Sequence, residues 1–284
     1  MGVAELMVAT KHQVEEIFDG AAERYDREGP PLFREWGAHL IELLGFAGGE
    51  RVLDVATGTG AVLAPAMQRV GRFGRVVGVD LSQNMLDEAE RVARAQDLDN
   101  FELYKMDAER LEFRDGIFDG VTCAFSLFFF HDLAAALREM HRVLRPGGHI
   151  GVAVFGDAPP PFDPGWRIFA EQARAYGGAI RTPQRVVYTP VEMQTVLASA
   201  GFGEIKTALE KYDVVFASLD AWWAFQLTLG NRATILQMAD AVRAKFQAEY
   251  FDKLRPLLRQ DGLHLGVSVV YAAGTAESNS TLEF

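Results

Sequence analysis

The chain contains little cysteine, and its one thiol, Cys123, lies inside an apolar segment. A single cysteine forms no disulfide framework and no cysteine-ligated metal site. It also fits a reducing compartment, so we expect a cytoplasmic protein. Carboxylates and asparagines form no spaced cluster that would hold a metal ion. The sequence therefore predicts no metal site.

Long apolar runs and positive charge are also scarce. No run reaches the roughly 18 apolar residues that a membrane-spanning helix needs. The amino terminus, MGVAELMVATKHQVEE, lacks the basic segment and apolar core of a signal peptide. Lysine and arginine number 28 against 39 carboxylates, which gives a formal net charge of −11. Nucleic-acid phosphates are bound by clustered Lys and Arg, so we expect neither a membrane span nor a nucleic-acid partner.

Apolar strand segments alternate with helical segments through the first 156 residues. Such alternation is typical of an α/β protein, with a doubly wound and mostly parallel sheet between layers of helices. Ligands of these sheets bind at the carboxyl ends of the strands, where the strand order reverses. The predicted strands are 51–57, 75–81, 101–107, 120–127 and 149–156, with helices at about 60–70, 83–96 and 132–144.

The glycine-containing loop DVATGTG follows the first predicted strand. Gly58 and Gly60 permit a tight turn and a close approach of the backbone to a ligand. Asp80, near the end of the second predicted strand, lies about 20 positions after the loop, a spacing that suits a ribose diol. A dinucleotide fingerprint requires a third glycine, and Leu63 occupies its position. This departure disfavours a nicotinamide-dependent oxidoreductase, although the loop alone leaves both kinds of cofactor open.

Five segments in a fixed order carry a resemblance to a known family. They are VLDVATGTG, VVGVDLSQNML, MDAERLEF, FDGVTCAFSL and LREMHRVLRPGG. This succession resembles the class I S-adenosylmethionine-dependent methyltransferases, and most of all the branch of ubiquinone and menaquinone biosynthesis. IFDGAAERYD, at 17–26, is similar to the amino-terminal segment of that branch. The resemblance covers about residues 17–156 and implies a Rossmann-like fold that binds S-adenosylmethionine and releases S-adenosylhomocysteine.

The resemblance implies a set of cofactor contacts, position by position. Asp54 and the backbone around Gly58 would hold the methionine part of the donor, and Asp80 would bind both ribose hydroxyls. Asp107 would read the adenine edge, and Tyr25 would close over the cofactor. The predicted cofactor-binding residues are Tyr25, Asp54, Ala56, Gly58, Thr59, Gly60, Asp80, Leu81, Met85, Asp107, Ala108 and Ala124.

The segment SLFFFHD, at 126–132, begins at the carboxyl end of the fourth predicted strand. Relatives commonly carry polar residues where this chain has Phe128 and Phe129, so we expect one or two rings of the segment to form a wall of the acceptor site. Asp132 precedes a helical pattern in the manner of an N-cap. No His-Asp pair or pair of carboxylates is convincing as a catalytic constellation. The candidate general bases are His131 and Tyr188, with His12 and His264 as further possibilities.

The carboxyl-terminal half is rich in aromatic residues and carries a helical insertion at about 217–262. Two strands, 204–216 and 264–274, flank the insertion and complete a seven-stranded sheet. A hairpin would suffice between them, and a long insertion is costly to order unless it covers something. We therefore predict a helical substrate lid. Its candidate contacts are Trp166, Tyr188, Trp222, Trp223 and Phe225, and Arg181 and Arg185 are candidates for an anionic group.

The predicted organisation has four parts. They are an amino-terminal helical cap (1–35), a cofactor-binding core (36–156), the rest of the sheet with its lid (157–274) and a disordered tail (275–284). The predicted function is C- or O-methylation of a hydrophobic or aromatic small molecule. Two alternatives remain open: a methyltransferase-fold enzyme that catalyses a cyclisation or rearrangement with bound donor, and a protein or RNA methyltransferase. The chain alone leaves monomer and homodimer equally open.

Overall fold

The computed structural model describes residues 10–157, 164–176 and 187–277. Arg181, Arg185 and the predicted tail from 278 onward lie outside the described residues. Within those ranges, no helix combines the length and the apolar character that crossing a membrane requires.

A single sheet lies at the centre of the molecule. Its strands within the described ranges are β1 (Arg51–Val55), β2 (Arg75–Asp80), β3 (Phe101–Lys105), β4 (Phe118–Ala124), β5 (Leu144–Gly156), β6 (Val187–Tyr188), β7 (Phe202–Phe216), β8 (Leu258–Arg259) and β9 (Gly262–Ala276).

The seven longer strands run in the order β3-β2-β1-β4-β5-β9-β7. Neighbours from β3 to β5 are parallel, and β9 runs antiparallel to both β5 and β7. The two-residue strands β6 and β8 pair with β5 and β9. This confirms the predicted mostly parallel, seven-stranded sheet. The chain order reverses between β1 and β4, which is where such a sheet opens a crevice for a ligand.

Helices cover both faces of the sheet. They are α1 (Lys11–Asp19), α2 (Leu32–Leu44), α3 (Leu63–Val70), α4 (Gln83–Arg94), α5 (Leu133–Val143), α6 (Pro164–Ala175), α7 (Pro190–Ser199), α8 (Leu219–Gln226), α9 (Asn231–Leu236) and α10 (Asp240–Leu254). The last three form the insertion between β7 and β9, so the segment predicted as helical is helical.

Side-chain caps fix where several of these helices begin. Asp132 accepts a hydrogen bond from the Ala135 amide at the start of α5, which confirms the predicted N-cap. Ser82 caps α4 in the same way, directly after the carboxyl end of β2. A capping residue satisfies backbone amides that have no partner inside the helix. Both caps set the path of the chain beside the edge where the parallel strands end.

Several strand boundaries differ from the sequence prediction; β5, for example, begins at Leu144 and not at 149. Two of the differences concern the cleft and the predicted tail. The strand predicted to end at 127 ends at Ala124, because Phe125 adopts a positive φ of 54° and a 3₁₀ turn follows at Leu127–Phe129. The last strand continues to Ala276, where it pairs with Phe202. Residues 275 and 276 therefore belong to the sheet, and the predicted tail boundary is wrong by those two positions.

The insertion packs into a large aromatic cluster together with α2 and α6. Trp36, Phe169, Trp222, Phe246 and Tyr250 are buried there against one face of β5, β7 and β9. Hydrogen bonds tie its helices together: the Trp222 indole donates to the Tyr250 hydroxyl (2.8 Å), which donates to the Gly165 carbonyl (2.9 Å). The insertion is thus an integral part of the core.

Candidate active site

A cleft opens at the carboxyl ends of β1, β2 and β4, and it encloses about 1070 Å³ of empty space including its mouth. Every predicted cofactor-binding residue except Gly60 lines it. Gly60 has a φ of 89° and turns the chain toward Ala89 on α4, outside the lining. The cleft lies at the reversal point of the strand order, where the topology predicts a ligand.

Asp80, at the end of β2, is held by backbone amides. Its Oδ2 accepts from the Gly58 amide and its Oδ1 from the Ser82 amide, both at 2.9 Å. Burial raises the pKa of the Asp80 carboxyl, and these amide hydrogen bonds oppose that rise. A carboxylate has about four lone-pair positions, so Asp80 keeps acceptor capacity for a ligand in the cleft. The loop thus presents an oriented, bidentate acceptor.

Asp54, at the carboxyl side of β1, is fully buried beside the cleft. Its two oxygens accept from the hydroxyls of Thr57 (2.6 Å) and Thr122 (2.8 Å). Burial raises the pKa of Asp54 to about 7, and the two hydroxyl bonds act in the opposite direction. A carboxyl with such a pKa changes charge near neutral pH, so a cation placed beside it would favour the ionised form.

Backbone strain lies on both sides of the cleft. Ala56 (φ 53°) and Phe125 (φ 54°) follow β1 and β4 directly, and both line the cleft. Non-glycine residues rarely adopt a positive φ, and strained positions of this kind concentrate at functional sites. Within the described residues only Asp97 and Glu204 share this conformation away from the cleft. The two strained residues thus lie at the ends of the two strands that flank the cleft.

Helix α1 covers the cleft and is fastened by charged groups. The Lys11 ammonium lies 2.6 Å from Asp107 Oδ2 and 2.6 Å from Glu109 Oε2. Lys105 contacts Glu15 at 2.6 Å. Sequence reasoning missed Lys11, because its partner Asp107 is 96 positions away and no local pattern reveals the contact. The helix closes the side of the cleft that holds Asp107.

Aromatic rings form the other side of the cleft. Phe129 and Phe130 line it, which agrees with the expectation that rings of SLFFFHD form a wall. Phe33 and Phe125 line it as well, and sequence reasoning did not single them out. Their rings are 5.1 Å apart in an edge-to-face arrangement. They come from α2 and from the turn after β4.

Phe128 does not line the cleft, although it was predicted to contact substrate. Its ring is buried against Phe129 (4.6 Å between centroids) and Phe155 (6.0 Å). The 3₁₀ turn at Leu127–Phe129 rotates successive side chains apart, and this turns one ring into the core and the next toward the cleft.

The predicted lid contacts divide into two groups. Trp166, Trp222 and Phe225 line a second, small apolar cavity. Trp223 lies in neither cavity and packs against Phe246, Tyr250 and Phe251. Three of the predicted substrate contacts thus lie together behind Phe33, outside the cleft.

The candidate bases lie away from the cleft lining. Tyr188 is buried on β6 in the hydrophobic cluster that also contains Met193 and Leu197. His131 is exposed, and its backbone amide donates to Glu109. His12 lies on the outer side of α1 near Glu15 and Glu16, and His264 lies between Asp213 and Asp261 at the amino-terminal end of β9. The described residues contain no cluster of His, Cys, Asp and Glu suited to a metal ion.

Comparison with known proteins agrees with this geometry. The model of the ubiE/COQ5 methyltransferase family matches residues 6–170. The aklanonic acid methyltransferase DauC of Streptomyces sp. (strain C5) is 37% identical over 161 residues, which are 54% of this chain and 73% of that protein. The nocamycin O-methyltransferase of Saccharothrix syringae is 35% identical over 187 residues, 66% of each chain. A demethylmenaquinone methyltransferase of Staphylococcus epidermidis is 36% identical over 146 residues, 50% of this chain and 60% of that one.

Solved structures share the fold. The [4+2]-cyclase SpnF aligns with a TM-score of 0.61 at 21% identity and covers 96% of this chain and 98% of its own. The YcgJ protein of Bacillus subtilis aligns at 0.59 and 21% identity, over 86% of this chain and 99% of its own. At such identities the likeness concerns the fold alone. The family match and the curated relatives carry the assignment: the chain belongs to the ubiE/COQ5 methyltransferase family and is an S-adenosylmethionine-dependent methyltransferase.

Proposed function

We propose that the protein methylates a carbon or oxygen atom of a hydrophobic or aromatic small molecule, with S-adenosylmethionine bound at the ends of β1, β2 and β3. The observation that carries this proposal is the division of the cleft into two walls. Asp54, Asp80 and Asp107 line one side, and the rings of Phe33 and Phe129 line the other. A polar, charged donor and an apolar acceptor fit these two walls.

The residues of the polar wall suit the donor. Asp80 keeps acceptor capacity for a diol beside its amide hydrogen bonds, and Asp54 has a pKa near neutrality that a nearby cation would lower. Ala56 and Ala124, small residues at the two strand ends, leave room between the walls. When bound, S-adenosylmethionine supplies a methyl group on a positively charged sulfur.

The chain's contribution to the reaction is alignment and the exclusion of water. Phe18, Tyr25 and Phe129 close over the cleft, and an enclosed site of this kind holds two reactants in line. Burial, with Asp26 and Asp80 nearby, raises the pKa of the Tyr25 hydroxyl. Tyr25 therefore keeps its proton and does not act as a base. Its hydroxyl remains a hydrogen-bond donor.

The aromatic wall offers no base for the acceptor. The rings of Phe33, Phe125, Phe129 and Phe130 carry no group that takes up a proton. Glu109 lines the cleft next to Phe130, and its carboxylate is already held by Lys11 and by the His131 and Asp132 amides. A base is needed only when the acceptor holds its proton at the working pH. We therefore infer an acceptor that ionises easily, such as a phenol or enol, or one that reacts through a π-rich carbon. The curated relatives, whose names include aklanonic acid and demethylmenaquinone, support a small-molecule acceptor.

The test is transfer of labelled methyl from S-adenosylmethionine to a panel of hydroxylated aromatic compounds, with wild type and Asp80→Ala compared. We expect transfer to at least one phenolic or enolic compound and a large loss in the variant. Transfer to proteins or RNA but to no small molecule would contradict the proposal.

A second function is favoured by the same apolar wall. A cleft without a base on its acceptor side also suits a cyclisation or rearrangement that retains the donor unchanged. Product formed from the acceptor without release of S-adenosylhomocysteine would identify this alternative. Stoichiometric release of S-adenosylhomocysteine would exclude it.

A further inference from the structure

Glu109 lies in the loop after β3, two positions beyond Asp107, and lines the cleft. Only 11% of its side chain is exposed. Its backbone amide donates to Asp107 Oδ1 at 3.0 Å, so the two residues are joined inside the loop. Sequence reasoning expected Asp107 to read the adenine edge and gave Glu109 no role. Glu109 is therefore fastened directly to a residue of the expected donor site.

The two carboxylate oxygens of Glu109 contact different elements. Oε1 accepts from the backbone amides of His131 (2.7 Å) and Asp132 (3.0 Å), at the end of the turn that follows β4. Oε2 lies 2.6 Å from the Lys11 ammonium on α1. Hydrogen bonds to an ionised group are stronger than those between neutral groups. One side chain thus joins three elements around the cleft: the loop after β3, the turn after β4 and the cover helix.

The turn that Oε1 holds carries part of the aromatic wall. Phe129 and Phe130 line the cleft and directly precede the two amides. Asp132 is also the N-cap of α5, so a fixed amide at this position fixes the start of that helix. A shift of the turn relative to the loop after β3 would therefore move both rings relative to the donor site.

We propose that Glu109 is a positioning residue of the reaction: through Oε1 it sets the distance between the donor, at Asp107, and the aromatic wall, at Phe129 and Phe130. The inference rests on the proposed function, which places donor and acceptor on the two sides of this link. Methyl transfer requires both reactants in line, and a misplacement of about 1 Å can lower a rate by about 100-fold. The contact of Oε2 with Lys11 has a separate effect, on the closure of α1 and on donor affinity.

Two substitutions separate the reach of the side chain from its charge. Glu109→Gln keeps the length and one carbonyl oxygen, which can accept from both amides, but it loses the charge that attracts Lys11. Glu109→Asp keeps the charge and is one carbon shorter, so it does not span the gap to the turn. Glu112→Gln and Glu112→Asp are the matched controls, because Glu112 is exposed and lies in the same loop.

Transfer of labelled methyl at saturating S-adenosylmethionine, to the panel of hydroxylated aromatic compounds, measures the positioning role. Glu109→Asp should lower kcat by about tenfold to 100-fold, whereas Glu109→Gln should stay close to wild type. Affinity for S-adenosylhomocysteine should follow the opposite order. Loss of the Lys11 ion pair should weaken Glu109→Gln by about two- to fivefold. Glu109→Asp should bind nearly as wild type, because the long Lys11 side chain can follow the shorter carboxylate.

Amide exchange at His131 and Asp132, resolved by NMR, tests the link without an acceptor. A ligand at about 100 times its Kd slows exchange by up to about 100-fold where opening costs the bound ligand. In wild type and Glu109→Gln, we expect saturating S-adenosylhomocysteine to slow exchange of both amides by about tenfold or more. In Glu109→Asp both amides should exchange faster than in wild type, and equally with and without the ligand.

The outcomes separate Glu109 from the proposed function. A loss of kcat in Glu109→Gln equal to or larger than that in Glu109→Asp would overturn the positioning role, because charge and not reach would then matter. If Glu109→Asp does not fold, as judged by thermal unfolding, the wild type decides: exchange at the two amides that ignores S-adenosylhomocysteine overturns the proposal. Failure of the wild type to methylate any compound of the panel would instead contradict the proposed function, while the exchange experiment still decides on Glu109.

Discussion

The two walls of the cleft differ in how far along the chain their contacts reach. In the polar wall, Asp54 and Asp80 each have a partner nearby in the chain: Thr57 is three positions from Asp54, and Gly58 is 22 positions from Asp80. Thr122 also holds Asp54, from 68 positions away. In the aromatic wall, Phe33 meets Phe125 and Phe225, which are about a hundred and two hundred positions away. The carboxylates of the polar wall lie at strand ends and turns that the sequence marks, whereas the rings of the aromatic wall meet only in the folded molecule.

The difference has a physical origin. Hydrogen bonds to a carboxylate are directional, so they require particular residues at particular turns. Burial of apolar surface is non-directional and roughly proportional to area. An aromatic ring can therefore enter a wall from any nearby segment. We expect changes in the polar wall to alter donor binding, and changes in the aromatic wall to alter acceptor choice or stability.

Asp80→Ala changes the polar wall and should have the largest effect, a loss of donor affinity. Hydrogen bonds to a charged group contribute about 1.5–3 kcal/mol each. Loss of two such contacts to the donor amounts to roughly 3–6 kcal/mol, or about 100-fold or more in affinity. Calorimetry with S-adenosylhomocysteine measures this loss. Asp87→Ala, at an exposed position on α4, is the matched control, and equal affinity of both variants would remove Asp80 from the donor site.

Phe128 and Phe129 allow a direct test of the aromatic wall, because the first ring packs in the core and the second lines the cleft. Phe128→Ala should lower the free energy of unfolding by about 3–5 kcal/mol, as is usual for a buried phenylalanine. Phe129→Ala should cost less stability, because its ring is half-buried and lines the cleft. It should reduce kcat/KM for the acceptor with little change in donor affinity. Denaturant unfolding and steady-state kinetics on both variants check this, and identical behaviour of the two would refute the assignment.

The sequence predicts the polar wall better than it predicts the aromatic wall. The mostly parallel sheet and the carboxylates at its edge were predictable, because each strand end carries its own turn and polar residue. The N-cap Asp132 and the helical insertion were predictable because each is marked by the helical pattern of the residues around it. The distribution of rings was not, since SLFFFHD contains nothing that distinguishes Phe128 from its neighbour. The positive φ of Phe125 also ends β4 early, which a run of apolar residues conceals.

Residues that depend on long-range pairing were missed or assigned too broadly. Phe33 and Lys11 carry no local signal, because their partners come from distant parts of the chain. Tyr188 and Trp223 were proposed as contacts on aromatic character alone, and packing places both in the core. An aromatic residue of a lid helix has two possible surroundings, and only the tertiary structure decides between them.

The pH dependence of the free energy of unfolding should reveal the titration of Asp54. Burial raises its pKa to about 7, from an ordinary value of 3.8. The folded state therefore binds more protons than the unfolded state between these values, so the stability contributed by Asp54 is lost as pH rises from about 4 to about 7. One proton gives a slope of at most about 1.4 kcal/mol per pH unit.

Asp54→Asn removes this titration. We expect the free energy of unfolding of the variant to fall less than that of the wild type between pH 4.5 and 7.5, measured by urea unfolding at intervals of half a pH unit. S-adenosylmethionine affinity should rise with pH near 7 in the wild type, as the ionised carboxylate becomes available to a cation, and should be flat in Asp54→Asn. Parallel stability curves for the two proteins would mean that Asp54 does not titrate in this range.

The smallest expected effect concerns Lys11, which joins the cover helix α1 to the polar wall. Its two carboxylate partners are partly exposed, and exposed ion pairs contribute about 0.2–1 kcal/mol each. Lys11→Gln should therefore weaken S-adenosylhomocysteine binding by about two- to tenfold at low salt. Salt screens such pairs, so the gap between wild type and variant should close near 1 M NaCl. Amide exchange in α1 should be faster in the variant, whereas Lys253→Gln, on the exposed side of α10, should change neither quantity. If the affinity difference between wild type and variant does not depend on salt, Lys11 acts by packing. The ion pairs of Lys11 would then not be what holds α1 to the polar wall.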